Sequence, residues 1–179
     1  MADYQAPLRD MRFVLNEVFD APKLWQSLPA LAEVVDAETA DAILEEAGKI
    51  TANSIAPLNR SGDEEGCRWD AGAVSTPAGY REAYQLYAEG GWVGMNGPEA
   101  YGGMGMPMAL TVEVNEMMSS ACLSLALNPL MTQGQIEAFE HHASDALKDV
   151  YLGKLVSGQW TGTMNMTEPQ AGTEVGARL

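Results

Sequence analysis

The chain has 179 residues, of which 46% are hydrophobic and 20% charged, values typical of a soluble globular protein rather than a disordered one. Its formal net charge of −15 argues against binding to nucleic acid or to anionic membranes, since both need basic residues that face phosphate groups. No signal peptide is predicted, and no apolar run reaches the ~20 residues that cross a bilayer. We therefore expect a cytoplasmic protein.

The first 35 residues have a hydrophobic pattern of their own. Apolar residues at helical spacing predict a short amphipathic helix over 7–20, and these are Leu8, Met11, Leu15 and Val18. The apolar strip continues beyond this helix but is interrupted at Pro29. We interpret residues 1–35 as an N-terminal extension that packs on the domain that follows.

Residues 36–156 are predicted to form a helical domain. Asp36 is placed to cap a helix over 37–56, which Pro57 ends. The polar stretch 59–72 contains three glycines and is predicted to be a surface loop.

The later helices of this domain have clear start signals. Thr76-Pro77 combines a hydroxyl cap with proline at the first helical position, and the glycines at 90–91 end the helix. Pro107 opens the helix that we expect to be the longest. Two more helices are predicted near 130–142 and 145–156, the second capped by Ser144. No β-sheet is expected in this domain.

The pattern changes after residue 156. From Gln159 to Thr167 the residues alternate strictly, with one face made of Trp160, Gly162, Met164 and Met166. This period of two predicts a strand. A lone strand cannot satisfy its backbone polar groups, so we expect 157–179 to be the truncated start of a β-domain in a longer protein. The predicted fold class is thus all-α, followed by the first strand of a truncated middle domain.

Residues 166–176, MTEPQAGTEVG, form the most informative segment. A strand end runs into a turn that contains glycine, and the hydroxyls of Thr167 and Thr173 lie close to exposed backbone N–H groups. Such a loop can bind an electron-rich ring edge or a phosphate. On chemistry alone, an ordinary hairpin turn is the more frequent explanation.

This segment resembles the T-E-P-x-A-G-S-D signature that opens the middle β-domain of acyl-CoA dehydrogenases. The upstream segments follow the order and spacing of that family, and these are residues 98–105 (PEAYGGMG), the helix with Glu113 and Glu116, and residues 151–155 (YLGKL). The resemblance covers residues 36–179, and residues 4–15 resemble the extension of a bacterial branch of the family.

The resemblance implies a flavin-dependent oxidoreductase. Its expected reaction converts an acyl-CoA into a trans-2-enoyl-CoA with FAD as cofactor and an electron-transferring flavoprotein as acceptor. A homo-oligomer is also implied. The family's base is a glutamate in a carboxy-terminal helical bundle that this sequence does not contain. We therefore expect no catalytic residue here and no activity from the chain alone, and neither Glu113 nor Glu116 is assigned that role.

Individual binding residues are implied as well. The resemblance places Met164, Met166 and Thr167 against the flavin ring. Gly172 and Thr173 correspond to the family's G-S pair, which contacts flavin and the CoA substrate, while Glu174 replaces the usual aspartate. The acyl pocket would involve Leu125, Asn128, Pro129 and Leu130, although core packing is the commoner role of such residues.

Two alternative functions belong to other classes of protein than the dehydrogenases. The first is a stand-alone helical module for interaction or oligomerisation, without flavin. The second is a metal-binding bundle, suggested by Glu137-x-x-Glu140-His141. Di-iron bundles need Glu-x-x-His on two separate helices, and only one predicted helix bears histidine, so no metal is expected. The T-E-P segment separates these alternatives from the enzyme, because an interaction module needs no strand that ends in a hydroxyl-rich turn.

Overall fold

The computed structural model describes residues 4–172, 174 and 176. In this part of the chain nearly all regular structure is helical, so the predicted all-α class is confirmed. The helices are α1 (Leu8–Arg12), α2 (Ala21–Ser27), α3 (Ala37–Ile50), α4 (Leu58–Glu65), α5 (Tyr80–Glu89), α6 (Met108–Ala121), α7 (Leu123–His142) and α8 (Asp145–Val156). Two short strands, β1 (Arg68–Asp70) and β2 (Ala73–Ser75), form an antiparallel hairpin.

The N-terminal extension lies against α3 and α6. Helix α1 continues as a π-helical turn over Phe13–Val18, so the helix predicted over 7–20 is present. Its inward side chains are buried, and they are Met11, Leu15, Ala21 and Trp25. Arg12 forms ion pairs with Asp41 and with Glu45 on α3, the second at 2.8 Å. The Tyr4 hydroxyl donates to the Met117 carbonyl of α6 at 3.1 Å.

Helix α3 begins at the predicted cap. The Asp36 carboxylate accepts the N–H of Thr39 at 2.8 Å, which satisfies one of the free donors of the first turn. The helix continues as a π-helical turn over Thr51–Ile55, where the buried Thr51 hydroxyl donates to the Ala47 carbonyl at 2.8 Å. The prediction of a helix over 37–56 is therefore confirmed.

The prediction of a surface loop over 59–72 is wrong. Pro57 adopts helical angles (φ −58°, ψ −24°) and leads directly into α4, because proline fits the first turn of a helix as well as it ends one. The prediction of a domain without β-sheet is also wrong, since β1 and β2 pair with Trp69 opposite Val74. Ala71 and Gly72 both have positive φ, the geometry of a tight hairpin turn.

Helix α5 starts later than predicted. Gly79 has a φ of +84°, so the chain reaches helical angles only at Tyr80 and not at Pro77. Its end agrees with the prediction, because α5 stops at Glu89 and Gly91 takes the left-handed conformation (φ +78°).

The longest helix is α7, not the helix that follows Pro107. Cys122 has extended angles (φ −158°, ψ 91°) and separates α6 from α7. Helix α7 then runs for 20 residues and contains Pro129 in its first third, where the sequence pattern had suggested a helix start at 130. The bounds of α8 agree with the prediction, but the side chain of Ser144 makes no capping hydrogen bond.

The core lies where α6 and α7 cross α3 and α8. Its fully buried side chains include Leu44, Leu110, Met117, Met118 and Leu152. Gln133 of α7 is buried among them, and its amide oxygen accepts from Asn115 at 2.8 Å while its amide nitrogen donates to the Trp92 carbonyl at 3.3 Å. Among the described residues, no helix has the length and apolar character needed to cross a membrane.

The strand predicted over 159–167 is not formed. Residues 161–167 have no regular secondary structure, and only an isolated bridge joins Glu168 to Ala171. A strand needs a hydrogen-bonded neighbour, and the described part of the chain provides none for this segment.

Two glycines in helices provide a matched test of the packing. A Cβ at Gly62 of α4 would collide with the Tyr80 ring, whereas a Cβ at Gly134 of α7 meets no atom within 4 Å. We expect Gly62→Ala to lower the free energy of unfolding by about 1–3 kcal/mol through overpacking. Gly134→Ala should raise it by about 0.5–1 kcal/mol, because alanine is the better helix former. Urea unfolding followed by circular dichroism measures both, and a stabilising Gly62→Ala would contradict the packing of Tyr80 on α4.

Two tyrosines of α5 provide a second matched pair. The Tyr87 hydroxyl is buried with no hydrogen-bond partner in the described structure, whereas the Tyr84 hydroxyl donates to the Gly158 carbonyl at 3.0 Å. We expect Tyr87→Phe to stabilise the fold by about 1 kcal/mol, because it removes an unpaired buried polar group. Tyr84→Phe should destabilise the fold by a similar amount, about 0.5–1.5 kcal/mol.

These two tyrosines also predict how the free energy of unfolding depends on pH. Burial raises the pKa of Tyr87 far above its ordinary value and also raises the pKa of Tyr84. Both hydroxyls stay neutral in the folded state while the unfolded chain ionises, so each tyrosine leaves the free energy of unfolding unchanged below the unfolded pKa of about 10 and lowers it as the pH rises from there towards the folded pKa. The stability of Tyr87→Phe should therefore fall less steeply above pH ~10 than that of the parent chain. If the free energy of unfolding falls equally steeply with pH in the variant and the parent, the Tyr87 ring is open to solvent.

Candidate functional site

The end of the described chain is held on the helical domain up to Gly162. The Gly158 carbonyl accepts from Tyr84, and the Trp160 N–H donates to the Lys154 carbonyl at 3.0 Å. The ammonium group of Lys154 also lies 3.9 Å from the centre of the Trp160 ring, a cation–π contact. The Gly162 N–H then donates to the Thr132 hydroxyl of α7 at 3.1 Å.

This last contact requires glycine. A Cβ at Gly162 would approach within 2.7 Å of the Gln135 Cβ, and within 3.2 Å of the Thr132 Cα. The Thr132 hydroxyl in turn donates to the Asn128 carbonyl at 3.0 Å, so it bridges the segment and the helix backbone. The segment is therefore fixed against α7 at one defined point.

Beyond Gly162 the predicted flavin residues present their side chains to solvent. Met164 is 58% exposed, Met166 is 37% exposed, and Thr167 and Gly172 are exposed as well. The chain then turns back, and the N–H of Glu168 donates to the Ala171 carbonyl at 2.9 Å. The prediction for Thr173 lies outside the described residues.

The predicted acyl-pocket residues separate into two groups. Leu125 and Pro129 are buried in the core, whereas Asn128 and Leu130 are exposed. Leu125 and Asn128 border a cleft of about 1120 Å³, and Leu130 is not among the residues that line it. The structure thus does not bring the four residues together in one pocket.

This cleft lies between α4, the hairpin, the start of α5 and the start of α7. At its edge the hydroxyls of Tyr80 and Ser124 share a hydrogen bond of 2.7 Å, and the buried Cys122 thiol lies 3.4 Å from the Tyr80 hydroxyl. Burial, and secondly the hydrogen bond with Cys122, raise the pKa of Tyr80. The hydroxyls of Tyr80 and Ser124 can donate and accept hydrogen bonds at this edge of the cleft.

This cluster has no signature in the sequence. Tyr80 and Ser124 are 44 residues apart, and neither belongs to a spacing motif. Arg81 is the basic residue on the cleft wall, and it is opposed by Asp63 and Glu82. The cleft therefore offers no net positive charge to an anionic ligand.

Glu113 and Glu116 lie one turn apart on α6. Burial, and secondly the charge of Glu116, raise the pKa of Glu113, which is only partly buried. Partial burial and a neighbouring carboxylate on the same helix face are ordinary causes of such a raised pKa, and this shift by itself does not indicate a catalytic base. Within the described residues, no group of three or more His, Cys, Asp or Glu side chains is placed to hold a metal ion.

Comparison with known proteins identifies the domain. Residues 37–159 match the model of the acyl-CoA dehydrogenase N-terminal domain. Over 96% of its length the chain is 41% identical to a 3-methylmercaptopropionyl-CoA dehydrogenase of Ruegeria pomeroyi, and over 98% it is 34% identical to a butyryl-CoA dehydrogenase of Syntrophomonas wolfei. A glutaryl-CoA dehydrogenase of Desulfococcus multivorans is 35% identical over 54% of the chain and is covered over 25% of its own length.

The chain spans 29% of the length of each of the first two relatives. The matched family domain covers α3 to α8, and the alignments to these two relatives extend over almost the whole chain. The chain therefore belongs to the acyl-CoA dehydrogenase family.

Proposed function

We propose that the chain is the amino-terminal part of a cytoplasmic, FAD-dependent acyl-CoA dehydrogenase that converts an acyl-CoA thioester into a trans-2-enoyl-CoA. An electron-transferring flavoprotein is the proposed acceptor, and the whole protein is proposed to be a homo-oligomer. The observation that carries the proposal is the segment after Gly162, which is anchored on α7 and then presents Met164, Met166 and Thr167 outward. Family membership does not favour the alternative of a stand-alone interaction module.

The exposed side chains of this segment fit a flavin ring. The Thr167 hydroxyl is exposed and makes no hydrogen bond within the described part of the chain, so it is available to donate to a ring heteroatom. The thioethers of Met164 and Met166 are polarisable and pack well against aromatic systems. When bound, FAD supplies the hydride acceptor for the dehydrogenation. We propose that Gly172 and Thr173 contribute further contacts, Thr173 also to the CoA substrate.

Of the four proposed acyl-pocket residues, Leu130 is best placed. It is 40% exposed on the same face of α7 as Leu123 and Leu127, which are 57% and 48% exposed. An apolar stripe of this kind suits a fatty acyl tail. Leu125 and Pro129 would support the stripe from inside the core, and Asn128 would contact a substrate only from the side of the cleft.

We further propose that the chain alone does not catalyse the reaction. Removal of the substrate α-proton needs a base, which the family places in a carboxy-terminal helical domain, and we assign that role to no residue of this chain. The test is dye reduction by the full-length protein with butyryl-CoA and with 3-methylmercaptopropionyl-CoA, with the 179-residue chain as the comparison. Turnover by the full-length protein only is expected, and absence of turnover with any acyl-CoA would contradict the proposed activity.

The contribution of Thr167 can be isolated by Thr167→Val in the full-length protein. Valine keeps the shape and β-branching but removes a hydrogen bond worth about 0.5–1.5 kcal/mol. We expect FAD to dissociate about three- to tenfold more readily and the flavin absorption to shift, with an unchanged circular dichroism spectrum. Thr163→Val is the matched control, because Thr163 is an exposed threonine of the same segment.

Thr173→Val should have a different effect. Because Thr173 is proposed to contact the substrate as well, its loss should raise KM for the acyl-CoA more than it weakens FAD retention. If Thr167→Val and Thr173→Val both keep the parent's flavin content, spectrum and kcat/KM, residues 166–176 form an ordinary turn and the proposed cofactor contacts are wrong.

A further inference from the structure

The hairpin of β1 and β2 is exposed on both of its faces. All the residues of the two strands are exposed, including Trp69 (73%) and Val74 (66%), which pair across the strands. A two-stranded hairpin is only marginally stable by itself, and a third strand or packing on a helix normally stabilises it. The hairpin is therefore a candidate site for pairing with another strand.

The register shows which main-chain groups of the hairpin are free. A loop of two residues with positive φ connects the strands, so the closing pair, Asp70 and Ala73, is hydrogen-bonded. Pairs alternate along an antiparallel ladder, and the next pair, Trp69 and Val74, is therefore a non-hydrogen-bonded one. The N–H and C=O groups of these two residues point to the two outer edges of the hairpin. No hydrogen bond joins them to a described residue outside it.

The free edge of β2 borders the cleft between α4 and the start of α7. Val74 and Ser75 point to opposite faces of the hairpin, yet both line the cleft, whereas no residue of β1 does. The cleft thus lies beside the edge of β2 and not over one face of the hairpin. Its volume of about 1120 Å³ leaves room for an extended segment at the usual strand spacing of about 4.8 Å.

We propose that the edge of β2 pairs with an extended segment of the same full-length polypeptide, from outside these 179 residues, which lies in the cleft as a third strand. An extended main chain presents the acceptor and the donor that the N–H and C=O groups of Val74 need. The inference rests on the proposed function, which makes this chain the amino-terminal part of a longer protein. The two relatives that it matches over nearly its whole length are covered over 29% of their own length.

The shortness of the edge decides between such a segment and a separate protein. Val74 offers two main-chain groups, and two neutral hydrogen bonds raise an association constant by about a hundredfold at most. A free peptide held in this way would dissociate readily, because these bonds do not offset the entropic cost of association. A segment of the same polypeptide avoids most of that cost, since its effective concentration at the edge is high.

The lining of the cleft indicates the chemistry of the segment. An apolar side chain beside Val74 would cover the exposed valine and extend the apolar pair that it forms with Trp69. Asp63 and Glu82 outnumber Arg81 on the cleft wall, and the chain carries a net charge of −15, so acidic side chains are disfavoured. The expected segment alternates apolar with uncharged or basic residues and has no proline at the pairing positions.

Hydrogen exchange of the full-length protein, resolved to single amides by mass spectrometry, tests the proposal. The Val74 amide should exchange at least about a hundredfold more slowly than in an unstructured peptide of the same sequence. The Trp69 amide is the matched internal control, because it points to the opposite edge of the same hairpin. It should exchange at close to the peptide rate. In the 179-residue chain, the Val74 amide should exchange at that rate as well.

Three results would overturn the strand pairing. They are a Val74 amide that exchanges at the peptide rate in the full-length protein, equal protection of the Val74 and Trp69 amides, and equal protection of Val74 in the full-length protein and in the 179-residue chain. Flavin content and dye reduction of the same preparation test the proposed function separately. An unprotected Val74 amide in an active, flavin-loaded protein contradicts the strand pairing alone. A protected Val74 amide in a full-length protein without flavin or turnover contradicts the proposed activity alone.

Discussion

The structure depends on how α7 satisfies the buried amide of Gln133. An unpaired amide in this position would cost about 1–3 kcal/mol, and the cost is avoided only when Asn115 of α6 and the Trp92 carbonyl are both in reach. These two hydrogen bonds fix the register of α7 against α6 and against the turn after α5. The preceding residue, Thr132, then accepts the Gly162 N–H. One turn of α7 therefore connects the helical core with the start of the proposed flavin segment.

This arrangement explains what the domain contributes to the family's chemistry. Burial, and secondly the charge of Glu116, raise the pKa of Glu113 on α6, and we propose a catalytic role for neither carboxylate. The helical domain fixes the chain at Gly162 and leaves the side chains of residues 164–167 exposed to solvent. The proposed cofactor would contact these exposed side chains. The chain spans 29% of the length of two relatives that it matches over nearly its whole length.

Local signals in the sequence predicted the elements that depend on local interactions. Asp36 as a cap, the bounds of α8 and the end of α5 at the paired glycines follow from capping chemistry that acts within one turn. The hairpin was missed because three-residue strands are too short to show alternation. The break at Cys122 and the contact of Tyr80 with Ser124 depend on packing between distant segments. The alternation over 159–167 was real, but a strand also needs a neighbour to pair with.

Helix α7 positions the segment after residue 158 through the contact of Thr132 with Gly162. Hydrogen exchange at the Gly162 amide, compared between the parent chain and Thr132→Val, tests this positioning. Valine keeps the shape of the buried side chain but leaves the Gly162 N–H without its acceptor. We expect a protected Gly162 amide in the parent and at least about tenfold faster exchange in the variant, with unchanged protection in the middle of α7. A Gly162 amide that exchanges freely in the parent, or at the same rate in both proteins, would contradict this positioning.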